Sequence, residues 1–235
     1  MSLTPPVARV DWDKTYRIIP SKYPPIDLFE RIADPGDWEL LAEIEGMTND
    51  RLREKAGDLS RIPRTRCIAG PNSSAIMAAF THPAPKPGRF DTSLFGAYYA
   101  TQAIETAVRE TAYHQAEFRR RTREPPCEIT MRTYLGRIDA DLYDVRGGWT
   151  AAHDPDSYVA SQALATTLRD AGGNGIVYDS VRHQGGTCFA AFFPNVLLRY
   201  QPDSWTIQGP HFCYLFDGNV VTHYRQVNIG PLIAL

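Results

Sequence analysis

Most of the short signatures that announce a chemistry are missing from this sequence. Its four cysteines, Cys67, Cys127, Cys188 and Cys213, stand 60, 61 and 25 residues apart, with no CxxC pair. The six histidines are scattered and no HExxH occurs, so neither a zinc finger nor a zinc protease is written here. There is no GxxxxGKS or GxxxxGKT phosphate loop, no GxGxxG after a strand, and no GxSxG. Phosphate-loop, dinucleotide-fold and common serine-hydrolase readings therefore have no support. Apolar runs stop at about six residues (Ala75–Phe80, Phe95–Ala100, Cys188–Phe193), whereas a membrane-spanning helix needs roughly 20. The opening MSLTPPVARVDWD lacks a basic stretch followed by an apolar one, so no secretory signal is visible. The expectation is a cytoplasmic protein with its cysteines reduced and buried as small hydrophobes. A basic surplus is missing too: 25 Lys and Arg face 27 Asp and Glu, a net charge of −2, which argues against direct nucleic-acid binding.

What is present is the balance of a folded protein. Hydrophobic residues make up 43%, charged ones 22% and aromatics 11%, far from the composition of disordered chains. At 235 residues a full core can be buried, as one large domain or as a domain with a decorated terminus. The first 60 residues differ in texture from the rest. Asp27–Asp58 is rich in Leu, Glu, Ile and Arg at helical spacing (Leu40, Leu41, Ile44, Met47), and Asp37, after Pro35-Gly36, is suited to cap a helix. This predicts a helical N-terminal extension over 1–60 ahead of a domain over 61–235. From Arg64 onward short apolar runs alternate with turns. Thr130–Leu135, Gly175–Tyr178, Phe189–Phe193 and Val220–Tyr224 read as strands, and Gln102–Arg120 and Asp156–Ala171 as helices. KPGRF, VRGGW and DAGGNG read as turns. The order is too irregular for a doubly wound parallel sheet and points to an α+β fold with a compact sheet.

Two segments hold the polar residues of interest. In Gly88–Phe118, Arg89 sits in a Pro87-Gly88 turn before a short β-like run ending in Tyr98-Tyr99, and a helix starts near Thr101. On that helix Ala103, Ala107, Glu110 and His114 share one stripe, beside a core-facing stripe of Ile104, Val108 and Thr111 or Ala112. Glu110 thus lies at the edge of a buried face, next to alanines that let a ligand or another backbone come close. A carboxylate there is either a paired structural group or a catalytic one. In Ser157–Phe193 a helix ends at a glycine-rich turn, the strand GIVY follows, and Asp179-Ser180-Val181-Arg182 comes directly after it. Ser180 has no adjacent histidine–acid pair to make it a nucleophile. Taken singly, each residue has an ordinary reading: Ser180 in a loop, Arg89 solvated in a turn, Tyr99 in the core, Arg66 paired with a surface acid.

Taken in order, GRF, GAYYAT and ETAVRE, followed about 70 residues later by GNGIVYDSVR, GG and AAFFP, resemble the RES domain. That family is called after an arginine, a glutamate and a serine, and the resemblance spans roughly Arg64 to Val196. It implies a compact ADP-ribosyltransferase-like sheet core with a cleft for NAD. It also implies the toxin half of a bacterial toxin–antitoxin pair, with an Xre-like repressor as antitoxin. Family members either degrade NAD or transfer ADP-ribose to a protein, reportedly phosphoribosyl pyrophosphate synthetase. By position, the family glutamate falls on Glu110, the serine on Ser180, the arginine ahead of the tyrosine on Arg89, and the tyrosine on Tyr99, with Tyr98 next door as the alternative. An arginine near the first core strand falls on Arg66, with Arg64 and Arg17 competing for the role.

The resemblance makes chemical sense of these residue types. Breaking the nicotinamide–ribose bond builds oxocarbenium character at the sugar, which a carboxylate such as Glu110 can steady or whose ribose hydroxyl it can orient. Arg89 and Arg66 offer forked cations for the pyrophosphate, Tyr99 an aromatic face for nicotinamide, and Ser180 a hydrogen bond to the nicotinamide amide or the ribose. The chemistry needs no metal. The expected function is an NAD-consuming toxin acting as a mono-ADP-ribosyltransferase on a protein acceptor. The alternatives are an NAD glycohydrolase or phosphorylase and, in a different class, a non-catalytic binding module.

Overall fold

The computed structural model describes residues 4–22, 57–82 and 86–227. The helices expected between 27 and 56, and the Asp37 cap, lie outside the described residues. Residues 7–20 do not belong to a separate helical layer. VARVDWDKTYRIIP forms the strand β1 (Val7–Pro20), which burial interrupts at Val10, Thr15 and Ile18. β1 lies antiparallel along β3 (Cys127–Asp144), in register from Val7↔Tyr143 to Pro20↔Met131, with one irregularity between Trp12 and Thr15. The sheet therefore draws on both sides of the expected 60/61 boundary. Pairing with a segment more than a hundred residues away decides the matter, which no local pattern reveals.

Four further elements build the middle of the chain: α1 (Ser74–Thr81), β2 (Tyr98–Thr101), α2 (Ile104–Thr122) and, after β3, α3 (Val159–Asp170). The chain then runs through β4 (Gly175–Asp179), β5 (Thr187–Ala191), β6 (Leu197–Leu198), β7 (Ile207–Phe216) and β8 (Val221–Val227). The strands form one mixed sheet in the order β1-β2-β5-β4-β3-β7-β8, with β6 on β3 and β1 also on β3. β3 and β4 run parallel, and the other pairings are antiparallel. Because β1 bonds to both β2 and β3, the strands β1, β2, β5, β4 and β3 close into a circuit. Trp12 of β1, Tyr98 of β2 and Phe189 of β5 meet on one face, with ring centroids 5.8 Å and 6.3 Å from Phe189. Ile138, Leu142 and Val177 are buried in the same cluster. The α+β class expected from the sequence is the one observed.

α2 packs on the opposite face of β1 and β3. Ala107, Val108 and Ala116 are buried there against Ile18, Ile129, Met131 and Tyr214, and Thr111 Oγ1 bonds the Tyr214 hydroxyl at 2.8 Å. The helix opens three residues after Thr101, whose hydroxyl donates to the Ala103 carbonyl at 2.7 Å instead of capping a free N–H. Its last turn carries Arg119, Arg120 and Arg121, which suit the negative end of the helix dipole. α3 ends where the glycine-rich turn begins. Gly172, at φ +83°, and Gly173 donate to the Arg169 and Leu168 carbonyls and turn the chain into β4. β5 begins two residues earlier than expected, so Phe192 and Phe193 fill the core from the following turn.

The closed circuit predicts a steep cost for emptying its centre. Phe189→Ala should destabilise the protein by about 3–5 kcal/mol, read from the urea midpoint at an unchanged slope, and a loss under 1 kcal/mol would contradict a packed interior.

Candidate active site

The end of β4 and the second turn of α2 bring two polar groups together. Ser180 follows directly on β4 and lies on the same side of the strand as the buried Tyr178, two residues back. Its hydroxyl donates to Glu110 Oε1 at 2.5 Å. The same oxygen accepts the backbone N–H of His183 at 2.9 Å and of Arg182 at 3.2 Å. A serine has one proton and two lone pairs, so this set uses all three. Ser180 is further tied down by its own N–H, which donates to the Gly186 carbonyl, and by His183, whose Nδ1 lies 2.9 Å from Thr106 Oγ1. The glutamate is thereby held in one orientation by a group that cannot turn away. Its other oxygen lies 3.9 Å from His114 Nε2, and 19% of its side chain remains exposed, so a ligand can reach it.

A second group of residues adjoins this pair. Tyr99 accepts the Phe90 N–H at 2.8 Å on its hydroxyl oxygen and donates to Asp91 Oδ1 at 3.3 Å. Gly88 has no room for a side chain, because a Cβ would come within 2.9 Å of both the Tyr99 hydroxyl and the Asp91 carboxylate. Burial raises the Asp91 pKa to about 6, partly offset by hydrogen bonds from the Gly88 backbone and the Tyr99 hydroxyl. Arg89 is itself buried. Its Nη1 donates to the Ala152 carbonyl at 3.0 Å and the Asp154 carbonyl at 2.7 Å, and its guanidinium lies 4.6 Å from the centre of the Tyr158 ring. Its other donors, on Nε and Nη2, form no hydrogen bond among the described residues. Tyr178 lies on the same sheet face as Tyr99, and burial drives its hydroxyl pKa well up, with the Glu110 charge adding to the rise and the Arg89 charge opposing it.

The structure thus brings Glu110 and Ser180 into contact, and Glu110, Tyr99 and Arg89 act electrostatically on Tyr178. Arg66 is not among them. Arg66 donates to Asn174 Oδ1 at 3.0 Å and lies 4.2 Å over the Phe193 ring. Asn174 precedes β4 and Ser180 follows it, so Arg66 sits at the far end of that strand, on the order of 20 Å away. The resemblance sets Arg66 near the first core strand, yet Arg64–Arg66 is a single 3-10 turn with Arg64 exposed. Of the three arginines weighed for the first strand, Arg17 is the one on a strand. It donates to the Tyr99 carbonyl at 3.1 Å and stacks 4.7 Å over Tyr98. The tyrosine pair divides by strand alternation: Tyr98 faces the circuit's interior at 1% exposure, while Tyr99 faces Asp91. Three contributors are absent from the sequence reading. Tyr178 is recoverable from its i−2 spacing to Ser180. Asp91 directly follows GRF and Arg182 closes GNGIVYDSVR, but neither carries a local signal of its contacts. Arg182 lies 3.5 Å over the Tyr113 ring and donates to the Pro155 carbonyl at 2.6 Å, bridging α2 and the 150–158 loop.

Among the described residues, no group of three or more His, Cys, Asp or Glu could hold a metal ion. The cysteines are free, with Cys127 only half-buried, and no described helix is long and apolar enough to cross a membrane.

Comparison with known proteins adds three findings. The family model described as the RES domain matches residues 61–217. The protein y4oC of Sinorhizobium fredii (strain NBRC 101917 / NGR234), itself uncharacterized, is 26% identical over 210 residues, spanning 89% of this chain and 86% of its own length. A crystal structure of the M. tuberculosis MbcT-MbcA toxin-antitoxin complex overlaps 87% of this chain and 85% of its own, at 10% identity and a TM-score of 0.42.

Asp91 supplies a pH test of this geometry. Its folded pKa of about 6 lies above the ordinary value of 3.8, so the unfolded chain sheds this proton first. Stability should fall as pH rises from about 4 to about 6, by about 3 kcal/mol. Asp91→Asn should remove that loss, seen as a parent-minus-variant difference in urea unfolding across the window, and a flat difference would contradict a buried, raised carboxyl.

Proposed function

The chain belongs to the RES domain family, and from that premise we propose that it is an NAD-consuming toxin that transfers ADP-ribose to a protein acceptor and is restrained by an Xre-like antitoxin. One observation carries the reading: the partly exposed Glu110 carboxylate is fixed by the Ser180 hydroxyl, beside Tyr99 and Arg89. A carboxylate held in place with access for a ligand is suited to a reaction that develops positive charge on a sugar.

In that reaction the bond between the ribose C1′ and the nicotinamide nitrogen breaks, and its electron pair goes to the ring nitrogen, discharging the cation. The sugar takes on oxocarbenium character. Glu110 stabilises that charge, and because Ser180 already holds it, no reorientation is needed as the charge develops. A nucleophile of the acceptor then bonds to C1′ and loses its proton. Arg89 serves the pyrophosphate through the guanidinium edge that the 152–154 carbonyls leave free. Tyr99 offers its ring to the nicotinamide, as an apolar wall with a fixed polar end. Such an activity poisons its own host, which is why an antitoxin is part of the proposal.

With labelled NAD and cell lysate, the full chain should place ADP-ribose on a discrete protein band and release nicotinamide. Glu110→Gln should lower both by roughly 10²–10³-fold while the unfolding midpoint holds. Free ADP-ribose with no labelled protein at any lysate concentration would overturn transfer, and a variant within twofold of the parent would remove Glu110 from the chemistry.

A further inference from the structure

Arg89 and Ser180 reach the site from different segments of the chain, and one imidazole joins those segments. His153 closes the 3-10 turn Thr150–His153, which follows the glycines of VRGGW. It stands between Ala152 and Asp154, the two residues whose carbonyls hold Arg89 Nη1. Its Nε2 accepts the backbone N–H of Asp179 at 3.2 Å, and its Nδ1 lies 2.9 Å from the Trp149 carbonyl oxygen. Asp179 is the last residue of β4 and the one directly before Ser180.

The partners fix the role of each ring nitrogen. A backbone amide can only donate and a carbonyl can only accept, so the ring proton is on Nδ1 and Nε2 offers a lone pair. The strand topology explains why a side chain is needed at this place. β3 pairs with β4 only at Tyr143↔Ile176 and Asp144↔Val177, and Val145 then donates to the Val177 carbonyl as its segment leaves the sheet. The Asp179 N–H lies beyond that last backbone partner, on the side of β4 that β3 has left. His153 fills the position that a further residue of β3 would have taken. The Asp179 carboxylate adds a second stitch, accepting the Gly147 N–H at 3.1 Å. One residue of β4 thereby holds both ends of the 147–153 segment. On either side of this joint the contacts lead straight to the site: Arg89 rests on the carbonyls flanking His153, and Ser180, next to Asp179, holds Glu110.

We propose that His153 is a positioning residue, which fixes the guanidinium that grips the pyrophosphate relative to the carboxylate that faces the ribose. The role rests on the NAD reading of the Glu110 site and deepens it. His153 acts through the 152–154 carbonyls on one side and through the Asp179–Ser180 peptide on the other, and touches neither NAD nor the reacting bond.

The test is steady-state nicotinamide release from NAD by the full chain, with urea unfolding and amide hydrogen exchange measured on the same variants. Two substitutions separate the two bonds of the ring. A glutamine carries its amide out to the reach of Nε2, so His153→Gln keeps an acceptor for Asp179 and loses the bond to Trp149. An asparagine stops at the reach of Nδ1, so His153→Asn keeps the bond to Trp149 and loses Asp179. His153→Asn should lower kcat by about tenfold or more with KM within about twofold, because a small misplacement of groups that still bind costs rate rather than affinity. Its Asp179 amide should also lose exchange protection. His153→Gln should stay near the parent in both respects. The proposal is overturned if His153→Gln fares no better than His153→Asn, whether both fall or neither does, or if only the unfolding midpoint moves. The two readings fail separately. A parent that releases no nicotinamide, with the exchange pattern as expected, sinks the NAD chemistry and leaves the joint standing, whereas NAD turnover that ignores His153→Asn sinks the role of His153 alone.

Discussion

The antiparallel pairing of β1 with β3 is the contact on which the rest of the molecule is built. It runs from Val7↔Tyr143 to Pro20↔Met131, and β1 also meets β2 at Tyr16↔Thr101. These bonds turn an open sheet into a closed circuit with two distinct sides. The interior takes Trp12, Tyr98 and Phe189, and the exterior offers Ile18 and Met131 to α2. A closed sheet leaves its strands little freedom to slide, because a one-residue slip would turn every side chain to the other face. Loops at its rim therefore start from fixed positions.

The proposed active site uses that rigidity. β2, β5 and β4 lie side by side in the circuit, with Tyr99 opposite Ala190 and Tyr178 opposite Cys188. The exterior face they form carries Tyr99 and Tyr178, and the chain leaves β4 directly into Ser180. α2, docked on β1 and β3, brings Glu110 to meet it. The Ser180–Glu110 hydrogen bond thus joins the end of the central strands to the covering helix. Ser180 acts on the carboxylate, and through two backbone N–H groups on its own turn, so its part in the proposed chemistry is positional. Placing charged groups with so little adjustment left is what lets a site stabilise developing charge.

What could be read in advance follows the range of each interaction. α2, α3 and β4 were visible in the sequence because helical and strand periodicity are local, and the glycines of DAGGNG mark where α3 must stop. Glu110 and Ser180 could be named because their motifs stand in a recognisable order. β1 was hidden: Arg9, Asp11 and Asp13 alternate with Ala8, Val10 and Trp12, but Lys14 breaks the pattern at the irregularity after Trp12, and its partner lies far along the chain. The resemblance set Arg66 near the first core strand, but Arg64–Arg66 is a 3-10 turn, and Arg17 on β1 stands by the tyrosines. Tyr98 and Tyr99 could not be told apart because alternation says that they oppose each other, not which one is inside. The cation–aromatic braces of Tyr113 and Tyr158 join segments with no shared local pattern.

The central claim is that Glu110, fixed by Ser180, faces the sugar carbon at which NAD is cleaved. A crystal structure of the full chain bound to ADP-ribose addresses it most directly. The account predicts the ribose C1′ adjoining the Glu110 carboxylate, with the Ser180 hydroxyl still donating to Oε1. ADP-ribose bound with its C1′ away from Glu110, or a Glu110 side chain turned to a different partner in that complex, would contradict it.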